Sequence, residues 1–411
     1  MRLPDRSTYV IVGANLAGGR AAEALRNNGF DGRLVLIGAE PDPPYERPPL
    51  SKEYLRGEQE RDKLFIAPPS FYEENDIELR LGVRATRVDS KERTVGLETG
   101  ESVQFDKLLI ASGGRVRRLS VPGIDLEGVY YLRTMADSER IAAELVSGRR
   151  LVVVGAGFIG AEVAASASMN GLEVTVLEIA EVPLGRALGQ EMGNIYADIH
   201  RDHGVDLRLG QGVERIEGTG RVERVIATAG ATIDCDLVVV GVGIEPETSI
   251  VEGSGIELNN GIVVDEYCQT NVEGIFAAGD VANFYNPILE ERIRVEHWAN
   301  AQNQGIAAAK NILGQRQPYA EVPWFWSDQY EINMQYVGHA SSWDEVLLRG
   351  SVPERQFSAF YLKGSRLRAA MCVNRQRDIR PSRELIRART PVDAKKLADE
   401  DVDLRSLVPQ R

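Results

Sequence analysis

The sequence predicts an α/β fold in three parts: two nested, doubly wound βαβ halves and a smaller C-terminal α+β domain. Three observations predict it. A strand, glycine turn, helix, strand and acid follow one another near the N-terminus, the same order recurs near the middle, and the pattern changes beyond about residue 326. At roughly 100–200 residues per domain, a chain of 411 residues accommodates these parts.

The first unit opens with an apolar strand at 9–12 and the turn Gly13-Ala14-Asn15-Leu16-Ala17-Gly18. A helical pattern carries Ala21, Ala22, Ala24 and Leu25, and a second apolar strand at 34–37 ends near Glu40. This is the Rossmann-like dinucleotide-binding order, in which glycines bring the backbone close to a pyrophosphate at a helix N-terminus. The second copy has a buried parallel-type strand at 151–154 and the turn Gly155-Ala156-Gly157-Phe158-Ile159-Gly160. An alanine-rich helix at 161–169 and a strand at 173–177 follow, then Glu178, which lies 23 residues after Gly155. An acid about 20 residues on is expected to accept from a ribose hydroxyl.

Apolar runs ending on small residues lie at 105–114, which includes Ala111, Ser112 and Gly113, and at 235–243, which ends on Gly243. The run 270–280 delivers Gly279 and Asp280 at a bend before a long helix at 299–313. The tail has strand-like runs at 345–349, 357–362 and 367–373 and a basic, helical end. The expected division is 1–113 with 246–325 for the first unit, 114–245 for the second and 326–411 for the tail.

The net charge of −13 disfavours nucleic acid as a partner. No stretch approaches the ~18–20 apolar residues of a membrane span, and the N-terminal residues lack the apolar core of a secretory signal, so a cytoplasmic protein is expected. Cys235, Cys268 and Cys372 form no paired spacing, which predicts buried thiols rather than disulfides, a metal centre or a redox dithiol. Residues 366–389 reverse the local sign, with eight arginines against Asp378 and Glu384. An acidic protein partner docking on Arg375, Arg377, Arg380 and Arg383 follows from charge alone.

Four motifs, YERPPLSKEY at 45–54, GAGFIGAE at 155–162, GIFAAGD at 274–280 and PWFWSDQY at 323–330, resemble those of a known family along nearly the whole chain. The chain is similar to the FAD-dependent NADH:ferredoxin reductases of bacterial cytochrome P450 and Rieske oxygenase systems, which share the glutathione-reductase-like fold. The resemblance implies FAD and NADH as cofactors, a ferredoxin as partner and a monomer or weak dimer.

It also implies which turn takes which cofactor. The turn 13–18 would hold FAD, with Glu40 on the adenosine ribose, Arg47 on the phosphates, Ala85 at the adenine and Arg117 at the flavin. Asp280 would meet the ribityl or pyrophosphate region, His297 and Trp298 would lie near the flavin ring, and Trp326 would cover part of it. The turn 155–160 would hold NADH, with Glu296 and Gly243 bordering the nicotinamide. Lys52 would stand beside the reactive edge of the flavin, paired with Glu162, where a cation stabilises the negative charge of reduced flavin. Asn15 departs from the pattern, standing where the second glycine is usual. Asparagine tolerates left-handed backbone angles, and its side chain is expected at the edge of the phosphate site.

Glu178 predicts NADH over NADPH, because a carboxylate repels a 2′-phosphate; nearby Arg186 is the complicating cation. Disulfide and peroxide reductases of related fold need a cysteine near the flavin. Here Leu50-Ser51 is followed by Lys52. Rubredoxin reductase, monodehydroascorbate reductase and a redox-sensing protein resembling apoptosis-inducing factor share much of the motif set and stay open as alternatives.

Overall fold

The structure is a computed structural model that describes residues 7–409. Strand β1 (Thr8–Val12) runs into helix α1 (Leu16–Asn27) and strand β2 (Arg33–Gly38). These strands sit in a five-stranded parallel sheet ordered Ile275–Ala277, Lys107–Ile110, β1, β2, Ile77–Leu81. Its inner strands β1 and β2 are apolar on both faces because both faces are covered, as parallel sheets require, while the edge strand carries Glu78 and Arg80.

The second unit repeats the plan with β3 (Arg150–Val154), α2 (Phe158–Met169), β4 (Glu173–Glu178) and α3 (Gly185–Asp202). Its parallel sheet is ordered Asp206–Leu209, β4, β3, Leu237–Val240, Val129–Tyr131. Gly114–Val116 and Ile244–Pro246, on either side of this unit, pair antiparallel as one ribbon.

The chain returns to the first unit at Ile275–Ala277, and helix α4 (Trp298–Ile312) then crosses α1 closely. A Cβ on Gly305 would lie 2.3 Å from the Ala17 carbonyl oxygen, so only glycine permits this approach.

The C-terminal sheet has five antiparallel strands: β5 (Trp324–Gln329), Ile332–Gly338, Arg366–Val373, Gln356–Lys363 and Glu345–Ser351, in that spatial order. One face packs Met334, Phe357 and Tyr361 on Leu188, Met192 and Tyr196 of α3; the other packs on helix α5 (Ile379–Ala388). β5 and its hairpin partner lie outside the three tail strands expected from the sequence. The run Trp324-Phe325-Trp326 has no apolar–polar alternation, because all three rings are half-buried, on both faces of the strand.

All three cysteines are buried. Burial pushes the thiols of Cys235 and Cys372 up to about 12, and that of Cys268 further still, so they remain protonated at neutral pH. Among the described residues no helix is long and apolar enough to cross a membrane.

The basic tail requires one correction. Arg375 is buried, donating to Asp378 at 3.0 Å and to Glu400 at 2.5 Å, and Arg383 has a buried Nε. Arg375 therefore ties the C-terminal tail to its sheet rather than facing a partner. Arg377 and Arg380 are exposed. A charge count along the sequence does not separate the two kinds of arginine, because the apolar residues of α5 decide which face is buried.

Candidate functional site

Both parallel sheets end on a glycine turn, and the turns face a shared cleft. In the first turn Gly13 takes φ +111°, and a Cβ there would lie 2.0 Å from the Ala111 carbonyl oxygen. Gly155 has the same role in the second, at φ +97° against the Gly241 carbonyl. Only glycine fits either position. Asn15 and Gly157 are the matching second positions, and both are extended, at φ −103° and −73°. Asn15 therefore makes no use of left-handed tolerance, contrary to the sequence expectation. Its side chain lines the cleft, and its Oδ1 accepts from Arg47 Nη2.

Arg47 is the hub of the first site. It also donates to Glu40 at 2.5 Å, to the Tyr45 hydroxyl at 3.0 Å and to the Arg133 carbonyl. The Glu40 carboxylate that ends β2 is thus held by Arg47 and Tyr45. Arg133 in turn pairs with Asp280 at 3.1 Å. Ala85 lies outside the cleft, beside the end of β2, where Val83 donates to Gly38. Gly13, Ala14, Gly18 and Ser112 form the turn and its support behind the lining.

The cleft brings together most of the residues expected of it. Its walls include Asn15, Leu16, Ala17, Arg47, Lys52, Ala111, Gly113, Gly279 and Asp280 from the first unit. Phe158, Ile159 and Glu162 come from α2; Glu296, His297, Trp298 and Trp326 close the far side. Trp298 meets Trp326 edge-on at 5.7 Å, and Trp324 stacks on Trp326 at 5.3 Å.

Lys52 and Glu162 are 4% and 3% exposed, with Nζ 3.0 Å from Oε2. Such a pair stays buried only if its remaining hydrogen bonds are met. The turn that carries Lys52 is pinned on two sides: Ser166 of α2 donates to the Ser51 carbonyl and Ser138 to the Leu50 carbonyl, both at 2.8 Å.

In the second site Glu178 accepts from the backbone N–H of Ala156 at 2.6 Å and of Ala180 at 2.8 Å. Gly157 opens onto free space, and Gly160 closes the turn against Gly155. Arg186 is exposed in the first turn of α3.

Arg117 is not in the cleft. It is exposed and donates to the Ile244 carbonyl on the ribbon, next to Gly243. Arg133 is the arginine that lines the cleft in this stretch. Nothing in the sequence marks Arg133, which precedes a helix N-cap at Thr134. Ser51 and Ser327 lie in the motifs at 45–54 and 323–330, but no local sequence signal marks their contacts with Glu162.

The cleft fits a flavin by its unmet polar atoms. His297 Nδ1 and Trp298 Nε1 are buried without a protein partner. Burial pushes the pKa of His297 down to about 3, so the ring is neutral. Uncharged ring nitrogens beside stacked tryptophans suit a flat heteroaromatic with carbonyl groups.

This fold and site define a flavin- and nicotinamide-dependent oxidoreductase class. The chain belongs to the pyridine nucleotide-disulphide oxidoreductase family, whose model matches residues 7–305, and a reductase C-terminal domain matches 324–408. It is 40% identical to rhodocoxin reductase of Rhodococcus erythropolis over 97% of this chain and 93% of that one. It is 39% identical to the ferredoxin–NAD(+) reductase component of the anthranilate 1,2-dioxygenase system of Burkholderia cepacia, covering 97% and 99%. The reductase in the covalent putidaredoxin reductase–putidaredoxin complex superposes with a TM-score of 0.95 at 36% identity, covering 98% of each chain.

Proposed function

We propose that this protein is an FAD-dependent NADH:ferredoxin reductase that serves a cytochrome P450 or Rieske oxygenase. The observation that carries the reading is the buried Lys52–Glu162 pair in a cleft that both glycine turns face and that no cysteine lines. A dithiol route would need a reactive thiol there. Relatives named as ferredoxin reductase components of an O-demethylase and a dioxygenase system match 97% of the chain and support the same reading.

FAD, when bound, supplies two-electron acceptance from a nicotinamide and one-electron release to an iron–sulfur protein. The residues of this chain bind and orient. Arg47, Arg133 and the α1 N-terminus offer cationic and N–H groups to a pyrophosphate. Lys52 holds positive charge at the cleft wall, where negative charge develops on reduction. Phe158 and Ile159 lead from the second glycine turn into the shared cleft. Glu178, fixed by two backbone donors, favours NADH, because it would repel a 2′-phosphate. Arg377 and Arg380 form the exposed cationic edge for an acidic ferredoxin, with Arg383 partly behind them.

Reduction of a panel of ferredoxins with NADH tests the whole reading. Rapid turnover with one of them is the expected result; a slow, long-lived charge-transfer complex without turnover would point to a redox sensor instead. Converting Arg377 and Arg380 to glutamate should slow ferredoxin reduction about tenfold at low salt and spare ferricyanide. Equal slowing of both acceptors would reject the docking assignment.

A further inference from the structure

Glu162 receives donors from two separate parts of the chain. From the turn after Arg47, Ser51 Oγ reaches Oε2 at 2.5 Å and Lys52 Nζ reaches it at 3.0 Å. From β5, Ser327 Oγ reaches the other oxygen, Oε1, at 2.7 Å. Ser327 has a single hydroxyl hydrogen, so while it donates to Glu162 its lone pairs accept. Gln329 Nε2 fills that role at 3.1 Å. Ser327 and Gln329 are two positions apart on one strand and so share a face.

Each is 1% exposed. Beside Gln329 lies the buried His200 ring of α3, whose Nδ1 meets the Tyr330 hydroxyl at 3.0 Å. Burial pushes the pKa of His200 down to about 4, with the Gln329 amide acting against that shift, so the ring adds no charge near neutrality. The row from Gln329 through Ser327 is therefore made of neutral dipoles whose hydrogens point toward one carboxylate.

Ion pairing alone does not need this row. Lys52 and Ser51 already serve Oε2, and the same turn holds them both. The C-terminal sheet contributes a donor to the other oxygen, across a boundary between units. A buried polar network fixes geometry through its satisfied members; here both Glu162 oxygens and the Ser327 hydroxyl are satisfied, while Gln329 Oε1 has no partner.

We infer that Ser327 and Gln329 are positioning residues: from the C-terminal sheet they hold the Glu162 carboxylate on Lys52 and so set the electrostatic potential that this pair presents to the cleft. The inference rests on the reading that a flavin occupies the cleft. Removing the Ser327 hydroxyl leaves Oε1 of a buried carboxylate without its donor. The negative charge of Glu162 is then less balanced, Lys52 is offset more fully, and reduced flavin, the more negative form, is disfavoured.

The test is a dye-mediated reductive titration of the purified holoprotein at pH 8, comparing wild type with Ser327→Ala, Ser327→Thr and Gln329→Leu. Ser327→Ala should shift the reduction equilibrium about tenfold toward oxidised flavin, a fall of about 30 mV for a two-electron couple. Ser327→Thr keeps the hydroxyl and should restore the wild-type value. Gln329→Leu should move the potential the same way by less, and it provides the measurement if the alanine variant does not fold. A flavin-loaded alanine variant with an unchanged or higher potential overturns the inference, as does a threonine variant that behaves like alanine. A wild-type protein that carries no flavin overturns the reading of the cleft itself, which absorbance before the titration reveals.

Discussion

At the end of its second strand, each βαβ unit presents one acid, and the two acids are held by different means. Glu40 is held by side chains, those of Tyr45 and Arg47, and Arg47 also reaches Asn15 and the Arg133 carbonyl. Glu178 is held by two backbone N–H groups, that of Ala156 in the second glycine turn and that of Ala180 two positions on. Through Arg47 the first site draws in Arg133, 86 positions away, whereas Glu178 draws only on its own βαβ unit. The difference implies that changes around the second turn act locally, while changes around the first spread through Arg47.

The largest separation should come from Gly155→Val. A side chain there enters a +97° backbone position and the 2.5 Å gap to the Gly241 carbonyl. NADH-driven ferricyanide reduction should fall more than about 100-fold, given the several kcal/mol that strain and clash impose together. Flavin absorbance should remain, because the first turn is untouched; loss of both would contradict the independence of the two sites.

Glu178→Ala should raise KM for NADH by about 10- to 100-fold, the worth of a charge-assisted hydrogen bond. Discrimination against NADPH should weaken in parallel. An unchanged NADH/NADPH ratio of kcat/KM would show that Glu178 does not read the ribose.

Acid should separate the units by stability. His297 at the first site and His200 beside the C-terminal sheet have folded pKa values of about 3 and 4, both below the ordinary value of 6.5. A depressed histidine binds its proton in the unfolded chain first, so stability is complete above pH 6.5 and declines as pH falls from there toward about 4. The slope is about 1.4 kcal/mol per pH unit for each ring, measurable by urea titration at several pH values. Replacing His200 by glutamine should flatten the decline; an equally steep one in that variant would remove His200 from the account.

The smallest effect belongs to Asn15→Gly. No strain is relieved, because φ is already extended. The contact with Arg47 is lost, worth about 1 kcal/mol, so the FAD dissociation constant should rise about fivefold. Tighter FAD binding would mean that asparagine hinders the phosphate approach.

Much of this was legible in the sequence, and what was not has a common cause. The two glycine turns, Glu40, Glu178 and the helices behind them are local patterns, and the structure forms them where the residues predict. Lys52 and Glu162 are 110 positions apart, and only the motifs around each suggested that they meet. Arg133 and Ser327 carry no local mark; they matter because a loop and a strand from other units end at the cleft. The family resemblance puts Arg117 at the flavin and leaves Arg133 unmarked, yet the ribbon turns Arg117 outward. Arg375 was grouped with its neighbours by charge, and burial separated it from them.

The ribbon formed by Gly114–Val116 and Ile244–Pro246 has a mechanical consequence. The chain crosses between its two nucleotide units twice, and the crossings are laced into one two-stranded strap, reinforced where Arg117 N–H meets the Gly243 carbonyl at 3.0 Å and Arg115 meets Glu245 at 2.6 Å. Two separate cords would let the second unit twist as well as swing. A single strap resists twist, and its ends turn at Gly113 and Gly243, both at positive φ. With the buried core that joins the units, the strap keeps the second glycine turn facing the same cleft wall.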